Sequence, residues 1–419
     1  MTDRKLIVPA IAGVLGVSAI ATAVEPTAAE LREQIEALQA KVAKIEAKEA
    51  SAAQQQATIQ SVLNDAERRS QLLQAGGMTA GWNGKEFAIG SADGNFKLVP
   101  YFQFQFRGVA NWADEAQADG DANTESGFEI RRMKAGLKGN AFSKDLTYDF
   151  NLAVNRNSGT PALEKAFVQY AFSDDWALKV GQWKDNVFHE ETVSSTKQLA
   201  AERSLVNEEL GGGLTDYVQG VSLVYTTDQL AAEIALTDGA NSDNTNYLDQ
   251  ANANYGVSGR VEYKVFGDWK NYSDFTAMGN KEDLLVVGAG LNYTEAGDTK
   301  TVYHTVDAQY EVGQLGLYAA YVANWTDDGD NDDYTWGAIA QAGYMLDQNW
   351  EIFGRYGFLE EDSLNEITLG ANYYWHGHNA KATIDLVILP DGSPSDTGLG
   401  YVASEDLQVV LRGQFQLAL

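Results

Sequence analysis

Arg132, Lys134 and Lys138 share one parity, and Arg107, Lys165 and Lys179 fall on the corresponding side of neighbouring segments. In an extended chain, where side chains alternate, this puts fixed positive charge on one face. Walls of fixed charge beside water are how pores discriminate among ions. The same side carries Asp149 in the first group. Farther along come Glu233, Arg260, Glu262, Lys264, Asp307, Glu311, Glu351, Arg355, Glu366, Lys381, Asp385 and Arg412. Basic residues outnumber acidic ones on this side, although the net charge is −29. The acid excess therefore sits in loops: Asp114, Glu115, Asp119, Asp121 and Glu125 in one, and Asp327, Asp328, Asp330, Asp332 and Asp333 in another. The longest loop, residues 185–215, holds Asp185, Glu190, Glu191, Glu202, Glu208 and Glu209 against Lys197 and Arg203. A connection of this length is expected to fold inward as a constriction. Its acids would then face the basic wall and set a transverse field.

Other chemistries fail on residue type and spacing. The histidines His189, His304, His376 and His378 form no HExxH or other paired metal-binding spacing, and no Ser-His-acid set can be assembled. Gly211-Gly212-Gly213 lacks the lysine and helix of a phosphate cradle. His376-Gly377-His378 reads as a solvated turn, and the Asp-rich stretches lack calcium-loop spacing. No enzymatic activity, cofactor or metal is expected. The negative net charge also excludes nucleic acid, whose phosphates need clustered Lys and Arg.

The elements that must position these charges are strands. Residues 407–419 place Leu407, Val409, Leu411, Gly413, Phe415, Leu417 and Leu419 on one face and Gln408, Arg412, Gln414 and Gln416 on the other. Such alternation to the last residue predicts a strand that closes a barrel. The pattern predicts sixteen antiparallel strands, at 96–107, 128–142, 145–155, 163–173, 175–184, 216–226, 229–237, 255–266, 284–294, 302–313, 315–326, 334–346, 349–359, 364–375, 379–389 and 405–419. Many are near the ~9–11 residues that cross a bilayer at a tilt. Tight links alternate with longer polar loops, the asymmetry of an outer-membrane barrel; the long link 267–283 breaks that order. Apolar faces such as Phe102-Phe104-Phe106 and Ile367-Leu369-Ala371-Tyr373 would meet lipid. Trp176, Trp325, Trp336, Trp350 and Trp375 would form interfacial girdles. With about sixteen strands, the interior is expected to be too wide for wall side chains to fill, and aqueous.

Upstream, Arg4 and Lys5 precede an apolar stretch ending in Ala21-Thr22-Ala23, which reads as a secretory signal over residues 1–23. Residues 24–75 are read as a periplasmic α-helical coiled coil, with Leu31, Leu38, Ile45, Ala52, Ile59 and Ala66 seven residues apart. A Gly-rich linker is assigned to 76–95 and the barrel to 96–419. The coiled coil offers a rival role, a tether from barrel to cell wall.

Arg131-Arg132-Met133-Lys134-Ala135-Gly136-Leu137-Lys138-Gly139, Leu178-Lys179-Val180-Gly181-Gln182-Trp183-Lys184, Glu202-Arg203-Ser204 and Leu369-Gly370-Ala371-Asn372-Tyr373-Tyr374 resemble, in order and spacing, elements of the phosphate-selective porin O/P family. The chain departs from that pattern at Asn186-Val187, where Pro-Phe is common, and at Leu419, where many such barrels end in Phe. The resemblance implies a sixteen-stranded, homotrimeric outer-membrane porin forming a water-filled diffusion channel for small hydrophilic solutes and ions. The acidity of loop 185–215 favours a general or mildly selective channel over one selective for phosphate or other anions.

Overall fold

The computed structural model describes residues 77–83, 86–114, 124–248 and 255–419, together with the helical Glu36, Gln39, Lys41, Gln60 and Ser61. The expected signal segment and the other residues of the expected coiled coil lie outside the described residues. The chain divides into two units between Gly76 and Gly77, and the barrel belongs to the second. No helix among the described residues is long and apolar enough to cross a membrane.

A short hairpin, β1 (Met78–Trp82) and β2 (Phe87–Ser91), precedes the barrel. Its residues fall within the expected linker, so that stretch is not a plain spacer. β2 pairs with the start of the next strand through Ile89↔Leu98 and Gly90↔Lys97, and Asn140 Nδ2 donates to Gly94 O at 2.9 Å.

The barrel strands are β3 (Lys97–Ala113), β4 (Thr124–Asn140), β5 (Leu146–Val154), β6 (Pro161–Ala171), β7 (Trp176–Lys184), β8 (Tyr217–Thr226), β9 (Leu230–Thr237) and β10 (Tyr255–Phe266). They continue as β11 (Leu284–Ala296), β12 (Thr299–Val312), β13 (Leu315–Asp327), β14 (Asp332–Met345), β15 (Trp350–Leu359), β16 (Leu364–Tyr374), β17 (Ala380–Leu389) and β18 (Gln408–Ala418). All sixteen expected strands are present. The first two are longer than expected, reaching toward the acidic loop between them. Each strand pairs antiparallel with its neighbours in sequence, and β18 pairs with β3 from Gln408↔Ala113 to Ala418↔Gln103. Leu419 N donates to Phe102 O at 2.9 Å, so pairing runs to the last residue. Closure is obligatory in lipid, where an unpaired edge would leave a row of backbone groups without water.

One face of the wall suits lipid. Ile234, Leu236, Val306, Leu369 and Ile384 are all exposed. Trp350, Tyr373, Trp375 and Phe415 make successive ring contacts of 4.9, 5.0 and 5.9 Å at the tight-turn rim. Tyr321, Trp336 and Phe358 do the same at the opposite rim, at 5.8 and 5.4 Å. These rings form the two expected girdles.

Two β-bulges retune the inner face. Opposite Gln105 and Phe106 stand Arg132 and Ile130, leaving Arg131 as the extra residue. Opposite Asn151 and Leu152 stand Lys165 and Leu163, leaving Glu164 unpaired in the ladder. A bulge re-aims side chains that strict alternation would send outward.

The interior differs most from expectation. A single apolar cluster inside the barrel joins Val187, Phe188, Leu199, Leu205 and Val206 of the long loop to Tyr318, Val322, Ile339, Phe353, Val387 and Val410 of the wall. The lumen beside β12–β18 is thus packed rather than aqueous. The wall alone could not fill this space; the loop brings its own apolar side chains to do so.

Candidate pore constriction

The segment between β7 and β8 contains three short helices, α1 (His189–Thr192), α2 (Leu205–Leu210) and α3 (Gly212–Thr215). Glu202-Arg203-Ser204 organises it, each residue with a different task. Ser204 caps α2, its Oγ accepting from Asn207 N at 3.1 Å, while its own N–H and hydroxyl donate to Glu190 at 2.8 and 2.7 Å. Arg203 donates to the carbonyls of Glu190, Glu191 and Val193 at 3.0–3.1 Å, which folds the loop onto itself. Glu202 reaches the wall. It accepts from Arg107 Nη1 at 2.8 Å, Arg131 Nε at 2.7 Å and Arg132 Nη2 at 2.7 Å. Burial alone would raise its pKa, but the guanidiniums of Arg131, Arg132 and Arg107 hold it well below the usual carboxylate range.

The rest of the loop is stitched to more than half of the wall. Asp185 accepts from Ser258 Oγ and Asn292 Nδ2, both at 2.7 Å. Arg260 Nη1 donates to Val187 O at 2.9 Å, and its guanidinium forms a two-point pair with Asp307 at 2.8 and 2.7 Å. Arg355 donates to Glu202 O and Arg203 O at 2.9 and 3.1 Å and pairs with Glu366. Lys381 Nζ donates to Gln198 O at 2.6 Å. Asp385 accepts from Ala201 N at 2.8 Å and is itself held by Arg412 at 2.7 and 3.0 Å, while Arg412 donates to Leu399 O of the β17–β18 connection at 3.0 Å. Gln105 and Gln416 donate to Ser195 O and Thr196 O. Close approach at the loop root needs glycine: a Cβ on Gly290 would lie 2.2 Å from Val187 O.

These contacts redistribute the expected pore-lining residues. Arg107, Arg260, Arg355 and Arg412 are fully or almost fully buried, holding loop carbonyls and carboxylates rather than lining open water. The cause is simple: the loop 185–216 and the β17–β18 connection need anchoring, and they consume the inward guanidiniums nearest to them. Lys179 pairs with Glu233 at 2.6 Å and lies 4.6 Å over the Trp183 ring. Arg132, Lys134, Lys138 and Lys165 instead line a cavity of about 360 Å³ between the loop and the β3–β8 side of the wall. Lys184, Glu164, Asp149, Glu191 and Arg203 share it. Lys134 pairs with Glu164, Lys165 with Asp149 and Lys184 with Glu191, so every carboxylate of the opening is committed to a lysine. Lys138 makes no ion pair among the described residues; its ammonium sits 5.6 Å above the Tyr101 ring. The opening carries six cations against three carboxylates.

The expected field between an acidic loop and a basic wall is therefore largely discharged. Glu190, Glu191 and Glu202 are buried and bonded, and Glu208, Glu209 and Asp216 are partly exposed. Burial, and then the neighbouring Glu191 carboxylate, push Glu208 up to about 7. Burial pushes Asp185 up to about 6, against its bonds from Ser258 and Asn292. Glu209 is raised by burial and by Asp396 and Glu361. Sequence alternation missed Arg131, Glu164 and Lys184. The first two need bulges that leave no mark in period-two patterning, and the third sits where strand becomes loop.

A pH dependence results. Acids with raised folded pKa values add stability that is fully present below their unfolded pKa, about 4.3 for Glu, and lost as pH rises through the folded value. Glu208 and Asp185 should therefore charge, loosening the loop root, between pH about 5 and 8. On acidification from pH 8 to 5 the loop sheds negative charge and the reversal potential in a salt gradient shifts toward anions. Glu208→Gln should flatten the upper half of that curve; an unchanged curve contradicts the assignment.

The profile of the phosphate-selective porin O and P family matches residues 104–386. The chain belongs to that family. A relative, an uncharacterized protein of Aquifex aeolicus (strain VF5), is 24% identical over 325 residues, which is 65% of this chain and 78% of that protein. The fold is shared with the anion-selective porin of Comamonas acidovorans, at TM-score 0.55 and 15% identity over 77% of this chain and 99% of that one. Salmonella typhi OmpF, solved with daunomycin, aligns at 0.53 and 18% identity, covering 81% of this chain and 100% of its own. The outer-membrane channel DcaP of Acinetobacter baumannii aligns at 0.50 and 13%, covering 78% and 99%. This porin O and P member is an outer-membrane β-barrel that forms a diffusion channel. Family and fold point to a channel rather than an enzyme.

Proposed function

We propose that the channel prefers anions and that its selectivity is set in the opening between loop 185–216 and β3–β8. The observation that carries this reading is the cation excess in that opening, with each of its carboxylates already paired and Lys138 unpaired among the described residues. The acidity of the loop, which favoured a general channel on sequence grounds, is spent on internal and wall contacts. Homotrimer assembly, and a periplasmic coiled coil contacting the cell wall, belong to the same proposal and rest on the family resemblance and the heptads of residues 24–75.

Planar-bilayer recording across a KCl gradient tests the preference. The wild-type reversal potential should have the sign of a chloride-preferring pore. Lys138→Glu changes two charges at an exposed site and should reduce the anion-to-cation permeability ratio several-fold, with little effect on folding. An unchanged ratio in Lys138→Glu, or a cation-preferring wild type, would sink the reading.

A further inference from the structure

Loop 185–216 and the β17–β18 connection, whose Leu399 and Tyr401 are buried in the same cluster, are not alone in folding into the barrel. Residues 267–283 join β10 to β11 at the rim where the other connections are tight turns such as Gly313-Gln314. They do not hang below the barrel: Tyr272 is 6% exposed, Phe275 2%, Thr276 2% and Ala277 5%. The segment starts beneath β10, where Arg260 Nη2 donates to Tyr272 OH at 3.0 Å and Tyr272 OH donates to Glu262 at 3.2 Å. It crosses β12, with Gln309 Nε2 donating to Asp274 O at 2.6 Å. It passes β13 so closely that a Cβ on Gly316 would lie 2.6 Å from Phe275 O. At the same point it approaches the turn after β16, where Asp274 stands 3.6 Å from His378 Nε2.

Midway it meets the constriction loop. The Tyr272 ring stacks on the His189 imidazole at 3.9 Å with the planes 4° apart. Phe275 meets the same imidazole edge-on at 5.4 Å, and Lys197 Nζ donates to Ser273 Oγ at 2.7 Å. His189 is held from the other side by Gln309 at 2.8 Å.

We propose that residues 267–283 form a periplasmic strap that seats the constriction loop through Tyr272 and, together with it, closes the β10–β17 side of the lumen. Solutes are thereby confined to the lysine-lined side. Tyr272 is a positioning residue: it touches no permeating ion but fixes His189, the first residue of α1, whose helix leads into the part of the loop that faces the opening. The strap explains why a long connection stands where tight turns are the rule, and why Phe275 belongs to the same apolar cluster as the loop. The inference rests on the diffusion-channel role but not on the anion preference, which the wild-type reversal potential tests separately.

The test compares wild type, Tyr272→Ala and Tyr272→Phe for single-channel conductance and for exclusion of neutral polyethylene glycols of graded size. Tyr272→Ala should raise conductance up to about twofold and admit larger polymers, because the closed side is roughly half the wall. Tyr272→Phe keeps the stack and should stay near wild type. His189→Ala breaks the same stack from the loop side, should reproduce the rise, and decides the matter if Tyr272→Ala does not assemble. A folded His189→Ala or Tyr272→Ala pore with wild-type conductance and cut-off overturns the proposal, as does a Tyr272→Phe pore that behaves like Tyr272→Ala.

Discussion

Replacing Glu202 by Gln should produce the largest change in channel behaviour of any single-atom-scale substitution in the loop. The side chain keeps its shape but loses the charge on which Arg107, Arg131 and Arg132 converge. Arg107 retains Glu129, its second carboxylate, whereas Arg131 and Arg132 have no other ion pair among the described residues. Removing one partner of a buried ion pair costs about 3–5 kcal/mol. Arg131 and Arg132 are 18% and 10% exposed, so lumen water screens part of that, and about 2–3 kcal/mol is the better expectation here. At 1.4 kcal/mol per decade, the population with the loop lifted off β3 and β4 should rise by about two orders of magnitude. The barrel itself stays closed, since Arg355, Lys381 and Asp385 still hold the loop elsewhere. The readouts are rapid current flicker, faster proteolysis within 185–216 and a stronger anion preference. Glu209→Gln, at a partly exposed acid with no ion pair among the described residues, is the control and should do little. A quiet, wild-type current from Glu202→Gln would show that Glu202 does not seat the loop.

The division between what sequence showed and what it hid comes from periodicity. Strand existence, order and closure were legible because lipid imposes one rule on every strand, apolar outward with period two. Leu411, Phe415 and Leu417 on β18, and Val261, Tyr263 and Val265 on β10, obey it and are exposed. Parity also brought Arg260, Arg355, Asp385 and Arg412 to the inner side. What parity could not say is whether an inward charge meets water or another part of the chain. One signal was available. On β13, Tyr318, Ala320 and Val322 face inward while Leu317 and Ala319 face outward, so the strand is apolar on both faces. A strand apolar on both faces is covered on both faces. Ile339 on β14 and Phe353 on β15 continue that inner patch. It marks the wall sector on which the loop lies, and by elimination places the open path along the lysine-bearing strands. Bulges at Arg131 and Glu164 had no such signal, because an extra residue in a ladder depends on the partner strand as much as on local sequence.

The pair Asp385–Arg412 should show the opposite signs that buried charge allows. Both side chains are fully buried, bonded at two points across adjacent strands β17 and β18. Asp385 Oδ2 also accepts from Ala201 N at 2.8 Å, and Arg412 Nη1 donates to Leu399 O. Asp385→Leu leaves a guanidinium in a closed site with one carbonyl for company, and about 3–5 kcal/mol of stability should go. Arg412→Leu strands the carboxylate and should cost a similar amount. In the double variant Asp385→Leu/Arg412→Leu no charge remains to be solvated, and the surrounding cluster that includes Leu399, Tyr401, Val387 and Val410 is already apolar. The double variant should therefore recover most of the loss, giving a coupling energy of at least about 3 kcal/mol between the sites. The orphaned Ala201 N–H and Leu399 carbonyl keep it below wild type by about 1–3 kcal/mol. The midpoint temperature at which the folded barrel converts to the slow-migrating form on a detergent gel measures all three variants. Additive single losses would mean that the two charges do not act as a unit. A double variant as stable as wild type would mean that the pair is kept for placing the loop rather than for holding the barrel, and conductance noise in that variant would then carry the effect.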